Sequence, residues 1–208
     1  MSEAFDAVTA GYDLIGDRYR EWSRHSPIRL HWVNWLLDSL TSGKLIVDLG
    51  CGPGDPATRM LSERHHVIGV DGSKVQLGLA KRAAPSAILV RADMTRFALR
   101  SNCVDVVVSF YALGHVPAER HAPLLASIAD WLRPGGRLLT SAPLVAGDEI
   151  EDDWLGVPMF FGGIGESATR EAIEQCGLSI EECHVMSEDE GDGDIVHFVW
   201  LVARKPVS

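Results

Sequence analysis

The sequence predicts an α/β fold: a doubly wound, seven-stranded, mostly parallel sheet with helices on both faces and an antiparallel last strand. Three observations carry that prediction. Short apolar runs alternate with helical stretches over most of the chain, the pattern of a parallel sheet covered on both sides. Four of those runs end in acidic, polar or glycine residues, where an open α/β sheet places its ligand. The two final apolar runs are joined by so short a link that they must lie antiparallel. A chain of 208 residues fits one such domain with a substantial core. Within it the sequence divides into a helical cap over 1–42 and a core over 43–208, with a lid at about 147–165.

The cap consists of two amphipathic stretches, Phe5 to Trp22 and Ile28 to Leu40, with no strand between them. Tyr12 and Tyr19 are seven residues apart and in phase, so both can face the sheet. The first strand, Leu45 to Leu49, runs into Asp48-Leu49-Gly50-Cys51-Gly52-Pro53-Gly54. Glycines at alternate positions let the chain turn sharply and bring its backbone close to a ligand. A helix follows over Pro56 to Arg64, with proline suited to the first turn. A dinucleotide-binding loop would carry its third glycine at position 55, where this chain has Asp55, an acid that suits a cationic ligand better than a phosphate.

The second strand, His66 to Val70, meets Asp71-Gly72-Ser73. A carboxylate there can accept both hydroxyls of an adenosine ribose, a bidentate pair that outweighs the alternative of a helix-capping or turn acid. Ser73 is suited to cap the helix Lys74 to Ala84. The third strand, Ala87 to Val90, ends at Asp93 and Met94, an acid and a thioether that match the amino group and ring face of an adenine. The fourth, Val104 to Phe110, leads into Tyr111 and His115. A helix over Glu119 to Leu132 stops at Arg133-Pro134-Gly135-Gly136 before the fifth strand, Arg137 to Ala142. The chain closes with a helix over Glu166 to Cys176, ended by Gly177. Strands Leu178 to Met186 and Ile195 to Ala203 then flank the acidic turn Glu188 to Asp194.

A formal net charge of −10, with lysines and arginines scattered, lacks the long-range attraction of non-specific nucleic-acid binders. No apolar run approaches the ~20 residues of a membrane span, and the acidic N-terminus does not resemble a secretory signal. Cys51, Cys103, Cys176 and Cys183 show no CxxC pairing. Together these features suggest a cytoplasmic protein with free thiols, no structural metal, and no nucleic-acid or membrane partner. The acidic block Glu149-Ile150-Glu151-Asp152-Asp153 reads as a solvated loop.

The strings Val47 to Gly54, Gly69-Val70-Asp71-Gly72-Ser73, Ala92-Asp93-Met94 and Leu132-Arg133-Pro134-Gly135-Gly136 together resemble the class I S-adenosylmethionine-dependent methyltransferases. The likeness is good over roughly residues 44–142 and implies a Rossmann-like core. The stretches Ser109 to Pro117 and Asp153 to Phe160 are similar to small bacterial methyltransferases, often of secondary metabolism, that act on small molecules. The resemblance implies that Asp48, Gly50 and Gly52 hold the methionine portion of the cofactor, with Cys51 and Gly72 also among the cofactor-binding residues. It places Asp71 at the ribose, and Asp93 with Met94 at the adenine. Phe110 and Tyr111 would lie beside the cofactor, with the N-terminal helix, carrying Tyr12 and Tyr19, folded over it.

Transfer to a hydroxyl needs a base, and His115, just past the fourth strand, is the candidate, paired with Tyr19. Further along that helix, His121 reads as exposed. Trp154, Met159, Phe160 and Phe161 suggest an apolar lid over a partly apolar small-molecule acceptor, methylated on oxygen or nitrogen. The family pattern breaks at Phe161-Gly162-Gly163-Ile164-Gly165-Glu166, where extra glycines suggest a more mobile lid. A protein that keeps the cofactor as scaffold for a cyclisation or isomerisation would carry the same cofactor motifs. A nucleic-acid methyltransferase is disfavoured, because Ser109-Phe110-Tyr111-Ala112 stands where an Asn/Asp-Pro-Pro-Tyr/Phe motif would be.

Overall fold

The computed structural model describes residues 3–189 and 195–207. Three helices open the chain: α1 (Glu3–Ile15), α2 (Asp17–Ser23) and α3 (Pro27–Ser39). Then follow β1 (Leu45–Leu49), α4 (Ala57–Ser62), β2 (His66–Asp71), α5 (Lys74–Ala83), β3 (Ile88–Arg91) and β4 (Val104–Ser109). A 3-10 turn, Leu113–His115, leads to α6 (Ala118–Trp131), β5 (Leu132–Pro143), β6 (Ala146–Trp154) and β7 (Val157–Ile164). The last elements are α7 (Gly165–Gln175), β8 (Ser179–Asp189) and β9 (Ile195–Arg204).

Seven strands form one sheet in the order β3-β2-β1-β4-β5-β9-β8. The first five pair in parallel, and β9 runs antiparallel to both of its neighbours. Strand order reverses at β1, whose two flanks are β2 and β4. The ligand crevice of an open α/β sheet forms at such a reversal. Successive strand residues face opposite sides, and both sides are apolar. Val47, Leu49 and Val107 pack with Leu125 and Ile128 of α6 on one face. On the other, Ile46, Val106 and Val108 meet Val33 and Leu36 of α3. Trp32 of α3 stacks on Trp200 of β9, with ring centroids 5.7 Å apart and planes within 8°.

The Phe5 to Trp22 stretch is two helices rather than one. The break falls at Gly16, whose φ of 47° lies in the left-handed region that glycine tolerates. Ser73 caps α5 as its position suggests, accepting from the Gln76 amide at 3.0 Å. Strand β5 begins at Leu132 and so takes in the Pro134-Gly135-Gly136 stretch, at an irregularity in its pairing with β4. Of the acidic turn, Glu188 and Asp189 belong to β8, whereas residues 190–194 lie outside the described residues.

The lid departs furthest from its loop reading. Strands β6 and β7 pair antiparallel as a separate two-stranded sheet. The acidic block is thus strand β6, its side chains exposed, and pairing with the apolar β7 holds it extended. Its glycines also have a packing role. A Cβ on Gly162 would lie 2.6 Å from the Val116 carbonyl oxygen, and one on Gly163 would lie 2.9 Å from Pro143 Cβ. These glycines let β7 press against the core. Among the described residues, no helix is long and apolar enough to cross a membrane.

Candidate active site

The loop after β1 is held by its own amides. The Gly50 and Cys51 N–H groups both donate to the Val70 carbonyl, at 2.8 and 3.1 Å, and Gly54 N–H donates to the Cys51 carbonyl at 3.0 Å. Gly52 N–H donates to Asp71 Oδ2 at 2.8 Å. Pro53 has no N–H. Every backbone donor from Gly50 to Gly54 is therefore turned into the protein, and none is left to cradle a pyrophosphate. Gly50 itself cannot carry a side chain: its φ is 71°, and a Cβ would sit 2.2 Å from Ala112 Cβ.

This arrangement changes the argument from Asp55. Its carboxylate pairs with Arg59 Nε at 2.9 Å, one helical turn on, and does not line the cavity beside the loop. Exclusion of a dinucleotide rests on the occupied amides rather than on that acid.

The cavity lies over the carboxyl ends of the strands. Gly50, Gly52, Asp71, Gly72, Asp93, Met94, Phe110 and Tyr111 line it from the sheet. Helix α1 closes it with Phe5 and Thr9, whose side chains lie within 3 Å of where a Gly72 Cβ would be. Asp71 Oδ1 accepts from the Ser73 amide at 2.8 Å, so each carboxylate oxygen is oriented by one backbone donor and keeps a lone pair for a ligand. Asp93 is fixed by the amide and hydroxyl of Thr95, at 2.9 and 2.7 Å. A paired acceptor, a second acid and a bed of thioether and aromatic carbon fit the ribose and purine of S-adenosylmethionine.

Burial raises the Asp71 carboxyl to about 6. The same cause lowers His115 to about 4. Below pH ~6 the free protein loses the Asp71 charge, while His115 stays neutral. We therefore expect kcat/KM for the cofactor to fall as pH drops through about 6. At saturating cofactor, kcat should be unchanged over the same range; initial-rate profiles at both cofactor concentrations check this.

Asp48 and Cys51 stand behind the loop and line no part of the cavity. Asp48 is 2% exposed and accepts from the Thr58 hydroxyl at 2.6 Å, which places it as a brace between β1 and α4. Burial lifts its carboxyl from 3.8 to about 6. A raised carboxyl favours folding below pH 3.8 and loses that contribution as pH rises through about 6. Ionised Asp48 thus costs the fold up to about 3 kcal/mol, from 1.36 kcal/mol per pKa unit. The melting temperature of Asp48→Asn relative to the parent protein should therefore be higher at pH 8 than at pH 5. A difference independent of pH would refute that role.

On the far side of α1 lies a second cavity of about 460 Å³, lined by Trp22, Arg29, Trp154, Phe161 and residues of β6. Tyr12, Tyr19, Tyr111 and His115 border both cavities. Tyr12, not Tyr19, is the partner of His115: its hydroxyl lies 2.7 Å from His115 Nε2. His115 Nδ1 meets the Phe160 carbonyl at 2.8 Å. A carbonyl only accepts, so Nδ1 carries the hydrogen, Nε2 holds the lone pair, and the Tyr12 hydroxyl donates to it. The Tyr19 hydroxyl instead receives Nη2 of Arg29 at 2.9 Å. The break at Gly16 sends the two phenols to different partners, although their rings still meet edge-on at 4.9 Å. Tyr111 sits at φ 62°, a conformation rare outside glycine, and its hydroxyl donates to Glu188 at 2.5 Å.

Trp154 and Phe161 face the second cavity, but Met159 and Phe160 do not line it. Met159 is fully buried against Gly11 of α1. Phe160 contributes its carbonyl to His115. His121 is not exposed as expected but fully buried, with Nε2 on the Val116 carbonyl at 2.9 Å. Arg29, Glu188 and Phe5 were not marked by the sequence.

Residues 46–136 match a family model described as a methyltransferase domain. A ubiquinone biosynthesis O-methyltransferase of Aeromonas salmonicida (strain A449) is 32% identical over 142 residues, covering 66% of this chain and 58% of that protein. A trans-aconitate 2-methyltransferase of Azoarcus sp. (strain BH72) is 36% identical over 107 residues, 50% of this chain and 41% of that protein. The chain thus spans roughly half the length of these curated relatives. Among solved structures, magnesium protoporphyrin IX methyltransferase from Synechocystis PCC 6803 with bound SAH superposes with a TM-score of 0.76. That match has 18% identity and covers 98% of this chain and 100% of the other.

Proposed function

We propose that the chain, which carries a methyltransferase domain over residues 46–136, is a class I S-adenosylmethionine-dependent methyltransferase that methylates an oxygen of a small, partly apolar organic acceptor. The observation that carries this reading is the shared wall: Tyr12, Tyr19, Tyr111 and His115 each face both cavities. A donor held by Asp71, Asp93 and Met94 on one side and an acceptor beneath Trp154 and Phe161 on the other meet only there.

When bound, the sulfonium cofactor supplies a methyl group already activated for in-line displacement. The residues of the wall orient the two reactants, exclude water and handle one proton. Tyr12 donates to a neutral His115, so the phenol oxygen has lone pairs free for an acceptor hydroxyl. As the oxygen is methylated, its proton passes to Tyr12 while the Tyr12 proton moves to His115 Nε2. Burial keeps His115 neutral in the resting protein, so Nε2 is free to receive the proton, and the same burial makes the resulting imidazolium short-lived. An amine acceptor would not need this relay, which is why oxygen is the better reading. The curated relative from Aeromonas salmonicida bears an O-methyltransferase name, which supports the same choice.

The test is product stoichiometry. Purified protein with S-adenosylmethionine and a panel of phenols and hydroxy acids should form S-adenosylhomocysteine and an O-methyl product in equal amounts. Product rearrangement without S-adenosylhomocysteine would overturn methyl transfer, and turnover confined to sugars or phosphate esters would overturn the apolar acceptor.

A further inference from the structure

Arg29 has no place in the cofactor site or the proton relay, yet it is buried to 8% exposure at the inner wall of the acceptor cavity. A guanidinium is always charged, and burying one without a counter-charge is costly. Among the described residues no carboxylate lies within ion-pair distance of it. Its surroundings are two phenols: Nη2 donates to Tyr19, and the guanidinium carbon lies 4.4 Å from the centre of the Tyr111 ring. Its Nε is buried with no hydrogen-bond partner. Glu188 is near, but its carboxylate takes the Tyr111 hydroxyl.

We infer that Arg29 is the anchoring point for a carboxylate on the acceptor, an inference that rests on the second cavity being the acceptor site. One planar cation matches one planar monoanion, which can accept two parallel hydrogen bonds from the guanidinium. The mouth argues against a more highly charged ligand. Asp148, Glu149 and Glu151 line the cavity from β6, and all three are exposed at the rim. The Asp148 carboxylate accepts from the Ala118 amide at 3.1 Å. A phosphate dianion or a second carboxylate would meet these acids. His197, also in the lining, is engaged by Ser187 at 2.8 Å. The acceptor class is therefore a hydroxy monocarboxylate with an apolar body, its carboxylate on Arg29 and its hydroxyl near Tyr12.

The experiment titrates matched pairs, 4-hydroxybenzoate with 4-hydroxybenzamide and 3-phenylpropanoate with its amide, into protein saturated with S-adenosylhomocysteine. Tryptophan fluorescence reads binding, since Trp22 and Trp154 line the cavity. The carboxylate of each pair should bind at least about tenfold more tightly, the size of a charge-assisted bond. A dicarboxylate should gain nothing further. Arg29→Met should erase the preference, and Arg29→Lys should keep part of it. Equal binding within pairs, no binding by any carboxylate, or a preference that survives in Arg29→Met would each overturn the inference. The wild-type comparison stands even if a variant folds poorly. S-adenosylhomocysteine formation from S-adenosylmethionine and the phenol panel, measured on the same protein, separates failure here from failure of the methyl-transfer reading.

Discussion

Replacing Asp71 with asparagine is expected to weaken S-adenosylhomocysteine binding by about 10²- to 10⁴-fold, from two hydrogen bonds to a charged acceptor at about 1.5–3 kcal/mol each. The geometry explains the size. Each carboxylate oxygen already accepts one backbone N–H, from Gly52 or Ser73, and offers its remaining capacity to the ligand. Asparagine has one acceptor oxygen and an amide that donates. One of the two backbone donors would then face another donor, and one ribose hydroxyl would lose its acceptor. Stability should not fall in step, because ionised Asp71 is itself disfavoured by burial. Calorimetric titration with a melting curve of the same variant checks both parts. Unchanged affinity would remove Asp71 from the cofactor site.

The second large effect concerns the relay. Tyr12→Phe keeps the ring that packs on Tyr19 and His115 and deletes only the hydroxyl. The turnover number should fall by about 10²- to 10³-fold, within the range of general acid–base catalysis, with little change in the acceptor KM. His115→Ala should cost a similar factor. The double variant should be hardly worse than either single one, since groups acting as a unit are not additive. Losses that multiply would mean that the two residues act separately. Turnover within twofold of the parent for Tyr12→Phe would mean that the acceptor needs no base.

Much of this architecture was legible in the sequence because its signals are local. The first three parallel strands are short apolar runs stopped by an acid or glycine, and those stops supply residues that line the first cavity. Asp71, Asp93, Met94, Phe110 and Tyr111 all appear there. What escaped depends on long-range packing. Tyr12 and Tyr19 share a helical phase, but the break at Gly16 decides which of them reaches His115. Arg29 sits in an amphipathic helix, where a charge is normally read as solvent-facing; its burial comes from Tyr19 and from Tyr111, which is far away in sequence. The acidic strand β6 has no alternation to mark it and exists because β7 pairs with it. Asp48 carries the sequence pattern of a ligand residue, yet the structure turns it inward onto Thr58.

The two cavities meet at one wall, and it is there that we propose methyl transfer takes place. The most direct measurement is a crystal structure with S-adenosylhomocysteine bound. The ribose hydroxyls should lie on Asp71, and the sulfur should face the acceptor cavity between Tyr12, Tyr19, Tyr111 and His115. A sulfur turned away from that wall, or a cofactor seated elsewhere on the sheet, would contradict it.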